Sequence, residues 1–251
     1  MCRKYALIML FLAGCGLTFA TSYVGVPKGS IYQAYVEYVD ANSIQITAGY
    51  GECNGSYFEV TEPYVYDVND IPTGEDFIYI YVDDSESDYP AAAFCDSIVE
   101  PEWSNAKLGW YNGSDRCIGV VWTEDSSGEI RYFTNNSDSK YIGEFKKVIY
   151  RGTAPTTWQT LECTAYVPVN AKAVNFYCDN WDFDDWAAVG ICAYENERSR
   201  IYCHAWQDAN VSGWVELERG ASRDFKYTGQ STTQDEPNQL NIWIFGYQIE
   251  R

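Results

Sequence analysis

The sequence predicts an all-β protein, and three observations carry that prediction. Aromatic residues make up 17% of the chain, with 22 Tyr, 11 Phe and 9 Trp, types that favour pleated, half-buried surfaces. Apolar runs of four to eight residues recur along its length, separated by Gly, Asn, Asp and Ser. Beyond the N-terminus, no stretch keeps a helical apolar period long enough to make an amphipathic helix. With 251 residues, 46% of them hydrophobic, the chain can bury a sizeable core. The expected arrangement is two consecutive β-sandwich or jelly-roll-like modules, residues 21–140 and 141–251, behind an N-terminal segment of residues 1–20.

That segment reads as an export signal. Arg3 and Lys4 precede the apolar run Tyr5 to Ala13, which is too short for a membrane span of about 20 residues. Leu12-Ala13-Gly14-Cys15 resembles the lipobox of bacterial lipoproteins, and the resemblance implies a diacylglyceryl group on Cys15 and removal of residues 1–14. Gly16 follows where a signal for inner-membrane retention would place Asp. The alternative is cleavage after Ala20, which releases a soluble protein. Losing residues 1–14 removes Arg3 and Lys4 and no acid, taking the net charge from −19 to −21.

In chain order, Tyr35–Val39 and Ser43–Thr47 flank Asp40-Ala41-Asn42 as a hairpin. Asn54-Gly55 suits the φ > 0 positions of a two-residue turn leading into Ser56–Val60. Phe77–Val82 is the strongest strand. Cys117–Trp122 and Glu129–Phe133 flank a further turn at Asp125–Gly128. The polar stretch Thr134–Lys140 marks the expected boundary between modules. Beyond it, strands are expected at Thr160–Tyr166, Ala173–Tyr177, Ala187–Tyr194, Ile201–Ala205, Trp214–Leu217 and Asn241–Ile249.

The segment Arg116 to Phe133 resembles one common in tail-fibre and receptor-binding proteins of tailed bacteriophages, where a strand ending near Ile-Gly leads through a polar hairpin to an apolar strand ending near Phe. Ile44–Gly49, Tyr79–Val82, Val167–Val174 and Ile244–Tyr247 fit the same pattern. The resemblance spans residues 30–251 and implies fold rather than activity. It departs at the N-terminus, since phage fibres carry no lipobox.

Charge and composition narrow the function. Thirty-six acids against 17 bases disfavour nucleic acid, and contact with a membrane is expected only through the lipid. The single histidine, His204, has no nucleophile motif around it, and no phosphate-binding glycine loop occurs. Neither a cofactor nor a metal site is implied, and the expectation is a protein that is not an enzyme. Setting aside Cys2 and Cys15, seven cysteines remain and none forms a C-x-x-C. Cys163, Cys178, Cys192 and Cys203 are expected to hold at least one disulfide in an oxidising compartment.

Asp179 to Trp186 is the densest cluster of acids and aromatics. Its spacing lacks the glycine of a calcium loop, so it reads as a solvated loop between strands. Trp181 and Trp186 would offer faces for stacking, and Asp182 and Asp184 would accept hydrogen bonds from hydroxyls, a candidate contact for a neutral or weakly cationic glycan, not a polyanion, or for a surface protein. At turn-proximal positions such as Trp103, Trp110, Tyr111 and Trp206, exposed rings would suit carbohydrate or protein contact, while most aromatics are expected to be structural. The expected function is a lipid-anchored recognition or adhesion protein of a bacterial envelope, at the outer membrane or surface. The alternatives are a phage or prophage virion appendage and a secreted carbohydrate-active enzyme. Oligomeric state is left open. Intact-mass analysis of membrane-extracted protein is expected to show an acylated Cys15 at the mature N-terminus; a chain beginning at Thr21 would refute it.

Overall fold

The computed structural model describes residues 26–69, 74–83, 93–123, 128–135, 140–152, 155–194, 199–230 and 239–251. Cys15 lies outside them. The described chain is all-β, with one 3-10 turn at Thr164–Tyr166. The first half contains β1 (Ile31–Gln33), β2 (Val36–Tyr38), β3 (Ser43–Ile46), β4 (Gly49–Cys53), β5 (Ser56–Val60), β6 (Tyr64–Asp67), β7 (Phe77–Val82), β8 (Phe94–Ser97), β9 (Glu102–Ser104), β10 (Gly109–Asn112) and β11 (Asp115–Trp122). The second contains β12 (Thr134–Asn135), β13 (Lys140–Gly152), β14 (Gln159–Leu161), β15 (Ala171–Ala193), β16 (Arg200–Glu216), β17 (Phe225–Gln230) and β18 (Gln239–Ile249).

Three antiparallel sheets build the first half: β1-β4-β5, β2-β3-β6 and β8-β7-β11-β10-β9. The hairpin across Asp40-Ala41-Asn42 forms with Val36 opposite Ile46, and the Asp40 carboxylate accepts the Asn42 N–H. Asn54 and Gly55 both take positive φ between Cys53 and Ser56, as the two-residue turn requires. The expected strand at Glu129–Phe133 is reduced to one bridge, Thr123 to Ile130. Arg116, fully buried, ties two sheets together: its guanidinium donates to the Glu52 and Gly29 carbonyls and the Tyr111 hydroxyl, with the Glu52 carboxylate 3.6 Å away. A buried charge is tolerable only with such partners.

The second half is one seven-stranded sheet folded onto itself. Along one edge of β15, residues 171–181 pair with β18 and residues 188–193 pair with β17; the other edge runs along β16. Between Trp181 and Trp186 the β15–β16 register shifts, because Trp181 faces Asp208 while Trp186 faces Trp206. The buried Asn180 amide closes this bulge by donating to the Ala188 carbonyl at 2.8 Å. The strand bends there, and its ends meet. Phe176 packs edge-on against Phe225, the partner of Ala193, with ring centroids 4.7 Å apart. On β16, a Cβ at Gly213 would lie 2.8 Å from Ile201 Cγ2, although 12 residues of straight strand would separate the two by about 40 Å.

Two expectations change here. The acidic stretch Asp179–Trp186 is not a loop between strands: its backbone stays within β15, and the strands expected at 173–177 and 187–194 are parts of one. The strand expected through Tyr166 stops at Leu161, because the Asp224 carboxylate accepts hydrogen bonds from the Cys163 and Thr164 N–H groups and the Thr164 hydroxyl, drawing the chain into the 3-10 turn.

Buried side chains from both halves join in one cluster running from Ala34 to Ile249. The Tyr247 hydroxyl donates to the Val120 carbonyl, Phe77 packs edge-on against Tyr247, and the Asn170 amide meets Cys117 Sγ. The Arg251 guanidinium donates to the Gln33 carbonyl at 2.7 Å. Among the described residues no helix is long and apolar enough to cross a membrane.

Gly246, in β18, leaves no room for a side chain, since a Cβ there would lie 2.3 Å from the Tyr141 carbonyl oxygen of β13. Gly246→Ala is expected to cost about 1–3 kcal/mol and lower Tm by several degrees. Gly74→Ala, which meets nothing within 4 Å, is the matched control and is expected to leave Tm unchanged. Thermal denaturation of the pair checks this.

Candidate functional site

The folded sheet carries a structured surface on the outer face of the layer formed by β14, β17, β15 and β16. Register places four residues in each cross-strand row. Tyr202, Gly190 and Thr228 are ladder partners, and Trp158, one residue ahead of the Gln159–Tyr227 pair, continues that row. Arg200, Cys192, Lys226 and Thr160 form the next. The inner residues of the same strands, Val189, Ile191 and Phe225, point into the core.

Gly190 shapes this face. A Cβ there would lie 2.5 Å from Tyr202 Cδ2 and 3.3 Å from Trp158 Cη2, so both rings come down onto bare backbone. A glycine inside a strand often marks such a close approach. The segment bearing Trp158 is fixed to β17, because the Gly229 N–H and the Thr228 hydroxyl both donate to the Pro155 carbonyl. The result is an open cleft of about 320 Å³ lined by Thr156, Trp158, Arg200, Tyr202, Thr228 and Gly229. Tyr202 is 51% exposed. Two aromatic rings, two hydroxyl-bearing threonines and a guanidinium converge in a concavity that holds no acid among the described lining residues, in a chain whose net charge is −19. Such a surface can stack against the apolar face of a ring while exchanging hydrogen bonds with its hydroxyls.

The four residues singled out from sequence stand apart from this cleft along β15. Trp181, Asp182, Asp184 and Trp186 occupy the bulge where the strand bends, between its β18-paired and β17-paired halves. Their side chains lie outside the described residues, as do those of His204 and Trp206. Of the turn-proximal aromatics, Trp110 and Tyr111 are structural, each 4% accessible, and the Trp110 indole N–H donates to Glu250. Trp103 packs edge-on against Trp110, with the Arg219 guanidinium 3.5 Å over its ring. These rings join the first half to the C-terminal strand. Burial alone would raise the Glu250 pKa; hydrogen bonds and charge from Arg219 outweigh it and hold the carboxyl below its ordinary value.

Further aromatic groups lie at the surface. Tyr32 and Tyr50, cross-strand partners on β1 and β4, stack 5.0 Å apart beside Tyr57. Tyr177, Trp243 and Phe245 cluster on the outer face of the other layer, with Lys147 over Trp243. The cleft at Gly190 is concave. Sequence reading passed over Trp158, Arg200 and Tyr202 because it weighed clusters dense in acids. The signal present was the lone glycine within Ala187–Tyr194.

No disulfide joins the described cysteines. Cys203 faces the core opposite Val189, whereas Cys192, three residues further along β15, points to the outer face, so the two project from opposite sides of adjacent strands. Cys178 lies between Val211 and Ile242, and Cys163 enters the 3-10 turn. Among the described residues no group of three or more metal-ligating side chains forms.

No family model matches the chain, and no curated protein is similar to it. Among solved structures it is similar to SGBP-B from a complex xyloglucan utilization locus in Bacteroides uniformis, at 6% identity and a TM-score of 0.22, over 89% of this chain and 72% of that one. It is also similar to a tryptic core variant of Cry1Da from Bacillus thuringiensis, at 8% identity and a TM-score of 0.23, over 89% of this chain and 52% of the other. At these scores neither likeness bears on function.

Burial pushes the Cys117 thiol up to about 12 and raises Cys163 and Cys178 further. Iodoacetamide at pH 8, followed by peptide mass mapping, is expected to leave these three unmodified in the native protein and to label them in denaturant. Labelling of the native protein at Cys178 would show that the β15 core opens.

Proposed function

We propose that this chain is a non-enzymatic recognition protein of a bacterial envelope, exported and held there by lipid on Cys15, which contacts a glycan through the cleft at Gly190. The observation that carries the reading is the pair of rings, Trp158 and Tyr202, meeting over a glycine in a concave surface with threonine hydroxyls and Arg200 around it. Aromatic rings held by a sheet lose little conformational freedom on binding, and their faces match the C–H faces of sugar rings. The hydroxyls and guanidinium supply orientation. The lipobox resemblance supports the envelope location, and the acidic surface keeps anchored copies apart.

The test is binding to immobilised neutral plant- and bacterial-type oligosaccharides by the intact chain and by Trp158→Ala/Tyr202→Ala. The double variant is expected to lose at least about tenfold in affinity, given stacking worth roughly 0.5–1.5 kcal/mol per ring beyond burial. Because Tyr202 is exposed and Trp158 precedes a short edge strand, circular dichroism and Tm are expected to stay close to those of the parent. Unchanged glycan binding would refute the assignment of the cleft.

A further inference from the structure

We infer that the Thr228 hydroxyl sets the hydrogen-bond polarity of the cleft, accepting from a neutral hydroxyl of one sugar ring stacked on Trp158 and Tyr202. This rests on the glycan reading above and adds to it which group of the sugar is recognised. Thr228 lines the cleft and is the ladder partner of Gly190, the glycine onto which both rings come down. In its row it stands between Gly190 and Trp158, and neighbouring strands lie about 4.8 Å apart, so both are close at hand. Phe225 and Tyr227 pack with the core, so by alternation Thr228 projects to the outer face.

A threonine hydroxyl has one hydrogen to give, and here that hydrogen is already placed. Thr228 Oγ1 lies 3.2 Å from the Pro155 carbonyl oxygen, and a carbonyl only accepts, so the hydroxyl donates to it. What Thr228 offers a ligand is therefore lone pairs alone. The Gly229 N–H is spent on the same carbonyl at 2.8 Å, and the Gly190 backbone is held in the ladders to β16 and β17. Arg200, in the same lining, carries only donors, and its positive charge disfavours an ammonium beside it. A neutral hydroxyl is the donor that fits. A ligand atom without a hydrogen, an ether oxygen or a fluorine, would set acceptor against acceptor at Thr228 and leave both unsatisfied.

Fluorine scanning tests this. The methyl glycosides of glucose, galactose and mannose, each with its set of monodeoxyfluoro derivatives, compete with the immobilised oligosaccharide that the intact chain binds. Fluorine replaces the hydroxyl with a group that cannot donate. In the parent, fluorination at one ring position is expected to weaken competition about five- to tenfold, the scale of one hydrogen bond lost with its acceptor left unsatisfied. Thr228→Val and Thr228→Ala are each expected to bind the unmodified sugar more weakly and to treat hydroxyl and fluorine at that position alike. Thr228→Ser is expected to keep the distinction. Tm is expected to stay close to that of the parent, because the Gly229 N–H still holds Pro155. If no position is sensitive in the parent, or the sensitivity persists in both the valine and alanine variants, the Thr228 assignment is overturned and the glycan reading stands. Oligosaccharide binding that none of the three sugars competes for overturns the seating of a single ring with the same consequence. Absence of binding to every oligosaccharide overturns both readings.

Discussion

A single strand serves two layers of this protein, and the second half depends on how that strand turns. β15 pairs with β18 along its first eleven residues and with β17 along its last six, while β16 follows it on the other edge. A flat sheet of that length would leave its inner face in water. Bending at the bulge brings Phe176 against Phe225 and Ile201 against Gly213, so one sheet supplies both sides of its own core. The Asn180 amide, bonded to the Ala188 carbonyl, spans the bend at the one place where regular pairing on both edges is interrupted. Asn is suited to that position because its side chain satisfies backbone groups that the broken ladder leaves over.

The same bend creates the surface read as functional. Between the Trp181–Asp208 and Trp186–Trp206 pairs, β15 holds three more residues than β16, an odd number that reverses which positions of β15 face outward. Before the bulge, Phe176 and Cys178 point inward; after it, Val189 and Ile191 do. That reversal puts Gly190 and Cys192 on the outside, in register with Tyr202 and Arg200 across β16. Without it, Ile191 would face solvent and Gly190 the core. The cleft and the core of the second layer are thus two consequences of one insertion.

The halves of the chain are joined by polar as well as apolar contacts. Tyr247, Asn170, Arg251 and Glu250 each reach from the second half to groups in the first, and Gly119 leaves no room beside Val36 and Tyr141 for any side chain. Arg116 performs a comparable role within the first half, where removal of Glu52 or Tyr111 would leave a buried charge short of partners. The turn-proximal rings Trp110 and Tyr111 are consumed in these joints.

Local chemistry was sufficient for much of the fold. The β class, the Phe77–Val82 strand, the hairpin across Asp40–Asn42 and the Asn54-Gly55 turn follow from alternation and from residues that accept positive φ, which neighbours along the chain decide by themselves. The strand ending at Leu161 did not follow, because Asp224, more than sixty residues away, supplies the carboxylate that turns the chain. Nor did the continuity of β15: eight residues rich in Asp and Trp read as a loop locally, and only pairing with β16 and β18 keeps most of that backbone in a strand. The cleft was marked in the sequence by one glycine in an apolar run, yet its walls come from residues 158, 190, 202 and 228. Their meeting is set by strand register and by the bulge, and register is a property of pairs of segments that no single segment contains.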